Sequence, residues 1–147
     1  MMRRLLPTAF ALFSVCATTN AATDSWGQIV VKGIFRTSTF VEDTTVIPAV
    51  LGTYFGVVVK VRPTLRHTSG FNVVRITWRF PAAGLTNPKS GQTLHVLHGQ
   101  CVCPPDRDCR LAFKFGQPWE LVPGVWEIEF AAENQPSLKQ SFTVVEP

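Results

Sequence analysis

The chain is poor in charge. Asp, Glu, Lys and Arg make up only 16% of its 147 residues, and the basic ones are scattered with no run of five or more. Without a basic stripe there is no electrostatic footprint for nucleic acid, so no nucleic-acid partner is expected. Catalytic groups are equally sparse. His67, His95 and His98 are the only histidines, no serine sits in a nucleophile-elbow pattern, and there is no glycine-rich phosphate loop. Glu127 and Glu129 are adjacent same-face positions of one strand, placed to pair with cross-strand lysine or arginine. With no set of nucleophile, base and stabiliser, the sequence specifies no reaction and implies no cofactor, and a non-enzyme is expected. No stretch of ten residues carries a 3.6-residue apolar period, which removes helical folds.

Long apolar runs are also missing, except at the start. Arg3 and Arg4 precede an apolar run from Leu5 to Ala17, and a small, polar end follows at Thr18, Thr19, Asn20 and Ala21. That order is an export signal over residues 1–21, with the run too short for the ~20 residues of a membrane-spanning helix. Cys16 raises a lipoprotein alternative, but Val15 and Phe13 stand where a lipidation signal usually has a small residue and leucine. The expectation is a periplasmic or secreted protein. Removing the leader takes both methionines and two arginines, leaving 12 basic and 10 acidic residues and a net charge of +2. After it, the longest apolar stretch, Tyr54 to Val61, is interrupted by Gly56 and Lys60, so the mature chain is expected to have no membrane span.

What remains reads as β-structure. Val74, Ile76, Trp78 and Phe80 alternate with Arg75, Thr77 and Arg79, the two-residue period of a half-buried strand. The pattern recurs at Phe55–Val61, Leu111–Phe115, Trp126–Phe130 and Phe142–Val144, with further strands over Gln28–Arg36, whose two faces are both apolar, and around Gln92–His98. Ten prolines remain after the leader, and those inside the chain fall between these runs, where no ladder N–H is lost. Seven to eight short strands predict an all-β, antiparallel immunoglobulin-like β-sandwich, with a small β-barrel as the alternative. Residues 22–26 form an N-terminal arm and 27–146 a single domain. Trp78, Phe80, Trp126, Ile128 and Phe142 are the candidate core, whereas Trp26 and Trp119, near strand starts, are read as partly exposed edge packing.

Three cysteines crowd nine residues, at Cys101, Cys103 and Cys109. In an exported chain they are read first as a disulfide. If Pro104–Asp108 forms a hairpin loop, Cys103 and Cys109 face each other across it, and Cys101 stands opposite Leu111. Cys103–Cys109 is therefore the favoured bridge and Cys101–Cys109 the alternative, with one thiol left over. A second reading is metal or thiol handling by His98, Cys101, Cys103 and Cys109. Parity weighs against it, because His98 points to the other face of a continuous strand and His95 lies about 20 Å from Cys101 along one.

Three segments are distinctive together: Phe80, Pro81, Ala82, Ala83, Gly84, Leu85, Thr86, Asn87, Pro88 with Gly91; Glu120 through Trp126; and Gln140 through Val145. Their order resembles family 3859 of bacterial domains of unknown function, short and often exported. The final hairpin of that family reads proline, glycine, any residue, tryptophan, then phenylalanine, threonine, valine. The resemblance covers most of Gly27 to Glu146 and implies an immunoglobulin-like fold with no known activity to carry across. The Cys101–Cys109 stretch is not a feature of the resemblance. Together these readings describe an exported, non-catalytic binding or accessory module with an unknown protein or envelope partner. A protease-inhibitor-like module, with the Cys103–Cys109 hairpin as a protruding loop, is a further alternative.

Overall fold

The computed structural model describes residues 26–62, 72–103 and 107–147. The leader, Cys16, most of the N-terminal arm and His67 lie outside them. The strands in chain order are β1 (Gly27–Arg36), β2 (Thr39–Asp43), β3 (Val46–Pro48), β4 (Tyr54–Val61), β5 (Asn72–Arg79), β6 (Leu85–Thr86), β7 (Thr93–Leu94), β8 (Val96–Cys103), β9 (Asp108–Lys114), β10 (Gly124–Ala131) and β11 (Leu138–Val145). A 3-10 turn at Pro118–Glu120 is the only helical element among the described residues. None of them forms a helix long and apolar enough to cross a membrane.

Two sheets face each other. One has the order β2-β1-β4-β9, the other β3-β11-β10-β5-β8, and β6 and β7 pair separately. Both sheets are open, so the molecule is an immunoglobulin-like sandwich, not a closed barrel. All pairings are antiparallel except β3 with β11, which run parallel. Strands β2 and β3 escape the alternation rule because β2 is exposed throughout and β3 is only three residues long. The expected strand around Gln92–His98 breaks at His95, and its second part runs on to Cys103.

The apolar stripes of the two sheets meet around one ring. Phe55 of β4 is fully buried, with ring centroids at 5.7 Å from both Trp78 and Trp126 and 5.3 Å from Phe142, all on the opposite sheet side. Phe113 and Phe115 close the cluster at 6.1 and 5.1 Å. Most of these contacts are edge-to-face, which suits the ring quadrupoles and adds to the burial. Trp78, Phe80, Trp126, Ile128 and Phe142 are all buried. Trp26 is buried as well, not part-exposed: its indole N–H donates to the Pro136 carbonyl at 2.7 Å, and its own carbonyl accepts from Arg62 N–H. The two apolar faces of β1 also have a local cause. Ile29 pairs with Val59 and Val31 with Val58, so Val30 is the extra residue of a bulge and turns outward, 42% exposed.

The first two segments of the resemblance meet at one pole. The Phe80 and Trp126 rings lie 4.8 Å apart, and the Trp126 indole donates to the Val122 carbonyl at 2.9 Å. Gly124 has φ +128°, and a Cβ there would sit 2.9 Å from the Pro81 ring. Glu120 accepts the N–H groups of Gly116 and Gln117, closing the 3-10 turn. These motif residues build the end of the sandwich.

Candidate functional site: the cysteine-bearing edge

Strand β8 ends the five-stranded sheet. It pairs with β5 from Asn72↔Cys103 to Arg79↔Val96, and its other side has no strand partner among the described residues. Residues in register share a face. Leu97, Gly99, Cys101 and Cys103 therefore point toward the sandwich interior with Trp78, Ile76 and Val74, and Val96, His98, Gln100 and Val102 point outward. Burial along the strand is uneven. Val96 to Gln100 are exposed, Cys101 is half-buried and Cys103 is buried. Leu97 shares a face with buried Trp78 yet is 40% exposed, so this part of β8 overhangs the opposite sheet. The strand contains no charged residue. Val96, Val102 and the neighbouring Val73 leave apolar surface on the outer face.

The cysteines gather where β8 turns back into the sandwich. Cys103 and Cys109 form a disulfide with their Cα atoms 5.7 Å apart. The two cysteines do not face each other across a hairpin. Strand β8 belongs to the five-stranded sheet and β9 to the four-stranded one, so the bridge joins the two sheets. Cys109 pairs with Val59 and Cys101 with Val74, and Leu111, expected opposite Cys101, pairs with Val57. The tip of the inhibitor-like loop, residues 104–106, lies outside the described residues.

Cys101 carries the remaining thiol. Its Sγ lies 3.3 Å from Cys103 Sγ and 3.7 Å from Cys109 Sγ, and all three sulfurs fall within 4.8 Å of one another. Burial pushes the Cys101 thiol above its ordinary pKa, because the thiolate would lose hydration there. His98 does not join the cluster. It lies on the outer face with its Nδ1 3.3 Å from Thr77 Oγ1. His95 is drawn away as well: its carbonyl accepts from Phe80 N–H, and its ring packs against Gly84.

Other polar groups are occupied structurally. Arg79 Nη1 lies 2.6 Å from Glu129 Oε2 and 3.2 Å from Glu127 Oε1, and Lys139 approaches Glu127 at 3.7 Å. The hydrogen bond from Arg79, then one from Ser137, holds the Glu129 carboxyl below its ordinary range, and the Arg79 guanidinium is raised in turn by Glu129. The pair of carboxylates is thus a cross-strand clamp. Trp119, half-buried, lines an open hollow of about 470 Å³ with Asn87, Pro88, Lys89, Gln117 and Pro118. Lys89 is the one charged side chain of that lining.

A two-sheet sandwich of this topology belongs to the immunoglobulin-like class, and known proteins place the chain more narrowly. The family model described as Domain of unknown function (DUF3859) matches residues 22–144, and the chain belongs to that family. A solved structure described as an immunoglobulin-like protein from Pseudomonas aeruginosa is similar, with a TM-score of 0.65 and 24% identity over 81% of this chain and 96% of that one. No curated protein matches.

Proposed function

We propose that this protein is an exported, non-catalytic binding module of the cell envelope, which takes an extended segment of a protein partner along the free edge of β8. The observation that carries this reading is an eight-residue edge strand with no charge, exposed over most of its length, whose own Val96, Leu97 and Val102 and the neighbouring Val73 present apolar surface. An edge of this kind is a template for strand addition, and proteins that avoid such pairing place lysine, proline or bulges there. At Gly99, on the inward face, a Cβ would meet nothing within 4 Å, so the opposite sheet does not cover the middle of the strand. Export rests on the leader over residues 1–21, and the disulfide suits an oxidising compartment.

The test is a pair of edge charges. Val102→Lys, at an exposed outward position, is expected to change stability by no more than about 0.5 kcal/mol. Together with Leu97→Lys it should abolish recovery of a partner that the wild-type mature chain captures from envelope extracts. Equal recovery by both proteins, or no partner at any ionic strength, removes the reading. A wild-type dimer that the lysines dissociate would make the occupant a second copy of this chain.

A further inference from the structure

The sulfur cluster has a use that does not depend on the edge-binding reading. We propose that, once the Cys103–Cys109 bridge is reduced, Cys101, Cys103 and Cys109 form a three-sulfur site for a soft monovalent cation, cuprous copper. The oxidised protein holds the same sulfurs as a clasp between the sheets, so the redox state of the bridge decides whether the site exists.

The three cysteines come from both sheets, and each is held by its own ladder: Cys101 opposite Val74, Cys103 opposite Asn72, Cys109 opposite Val59. None of those pairings uses the bridge, and the aromatic cluster around Phe55 joins the sheets elsewhere. Opening the bridge therefore leaves the sulfur-bearing backbone in place. Three sulfurs at about 2.3 Å from a trigonal metal stand about 4 Å from one another. Cys101 Sγ is already 3.3 and 3.7 Å from the other two, so only the bonded pair has to part.

The same distances count against the competing use, exchange of the Cys101 thiol into the bridge. An attacking thiolate must stand on the extension of the S–S bond, where its distances to the two sulfurs differ by a full bond length, about 2 Å. Here they differ by a few tenths of an ångström, so Cys101 lies beside the bond.

Ligand chemistry selects the ion. Thiolates favour soft cations such as Cu(I), whereas structural zinc takes four ligands. Cys101, Cys103 and Cys109 form the one potential ligand cluster of this kind among the described residues, and His98, the fourth residue of the sequence reading, is on the opposite face of β8. The balance closes without oxidising the metal. An external dithiol gives two electrons and two protons to the bridge and leaves as its own disulfide. Cu(I) then coordinates sulfur, and each coordinated thiol releases its proton to solvent.

The experiment uses the mature chain, residues 22–147, reduced anaerobically with a phosphine, desalted, and titrated with Cu(I) against a chromophoric Cu(I) chelator. One Cu(I) per reduced chain is expected, with a thiolate-to-copper band in the ultraviolet. Reduced Cys101→Ser should bind roughly tenfold more weakly or worse, His98→Ala as wild type, and the unreduced chain should not compete with the chelator. Far-UV circular dichroism of the reduced wild type should keep its β-sheet signal. The proposal is overturned by equal binding in Cys101→Ser, by equal binding in the unreduced chain, by a loss in His98→Ala as large as in Cys101→Ser, by preference for zinc, or by loss of the β signal on reduction.

Discussion

Cys101 shows how little a residue's type says before its neighbours are known. In sequence it is the thiol left over when Cys103 pairs with Cys109, and in the structure it is the half-buried thiol beside the other two. Burial disfavours its thiolate, so the folded thiol has a pKa above the unfolded one. The resulting stability is present below the unfolded thiol value and is lost as pH rises through it toward the folded value. Alkylation of the native protein by iodoacetamide should accordingly be slow at neutral pH and still climbing above the ordinary thiol pKa, whereas Cys101 in denaturant levels off near it. A native rate that plateaus near pH 7 would contradict the burial argument. His98 is the opposite case, since its exclusion from the cluster follows from parity alone, without tertiary information.

At the scale of elements, alternation located the strands that bury one face. Strands β4, β5, β10 and β11 were legible because each carries an unbroken inward set. Strand β2 was invisible because it buries nothing, and β3 because three residues cannot carry a period. In the sequence Gly56 is only an interruption of the longest apolar stretch. In the structure it pairs with Ala112 of β9 and leaves no room for a side chain: a Cβ there would collide with the Leu111 carbonyl and sit 2.7 Å from Ala112 Cα. Gly56→Ala should therefore be a core-type lesion, destabilising by at least the ~1–3 kcal/mol of an overpacked interior. Gly99→Ala, with nothing near its Cβ, should cost far less. Urea unfolding of both variants checks the contrast, and equal effects would mean that β9 does not pack against Gly56.

For the molecule as a whole, two devices hold the sheets together, and they differ in strength. The aromatic cluster is the larger. Phe55→Ala removes a fully buried ring that touches both sheets and should cost about 3–5 kcal/mol, read as a lower urea midpoint with an unchanged slope. The bridge closes a loop of only seven residues and should contribute about 2.4 kcal/mol by the chain-entropy relation. Reduction should thus lower the unfolding free energy by that order and leave the sandwich folded. Collapse on reduction would make the disulfide, not the aromatic core, the principal tie between the sheets.

The sequence by itself determined the class. Alternating strands with prolines between them specify an all-β, antiparallel fold, a sandwich or a small barrel, because the period of side-chain burial is a local property of an extended chain; the open sheets decide for the sandwich. It determined, too, that three cysteines would crowd one place and that His98 would face away from them. Only the tertiary structure decided what that crowding means. Whether Cys103 and Cys109 lie across a hairpin or across the gap between two sheets depends on which strand β9 joins. That choice is set by the fit of Val57, Val59 and Gly56 against β9, contacts separated by about fifty residues along the chain. The overhang of β8 is decided in the same way: among the described residues its edge has no strand partner, because β9 crosses to the other sheet instead of pairing with it. Neither decision leaves a mark in the local pattern, since long-range pairing is selected by the packing of the whole core.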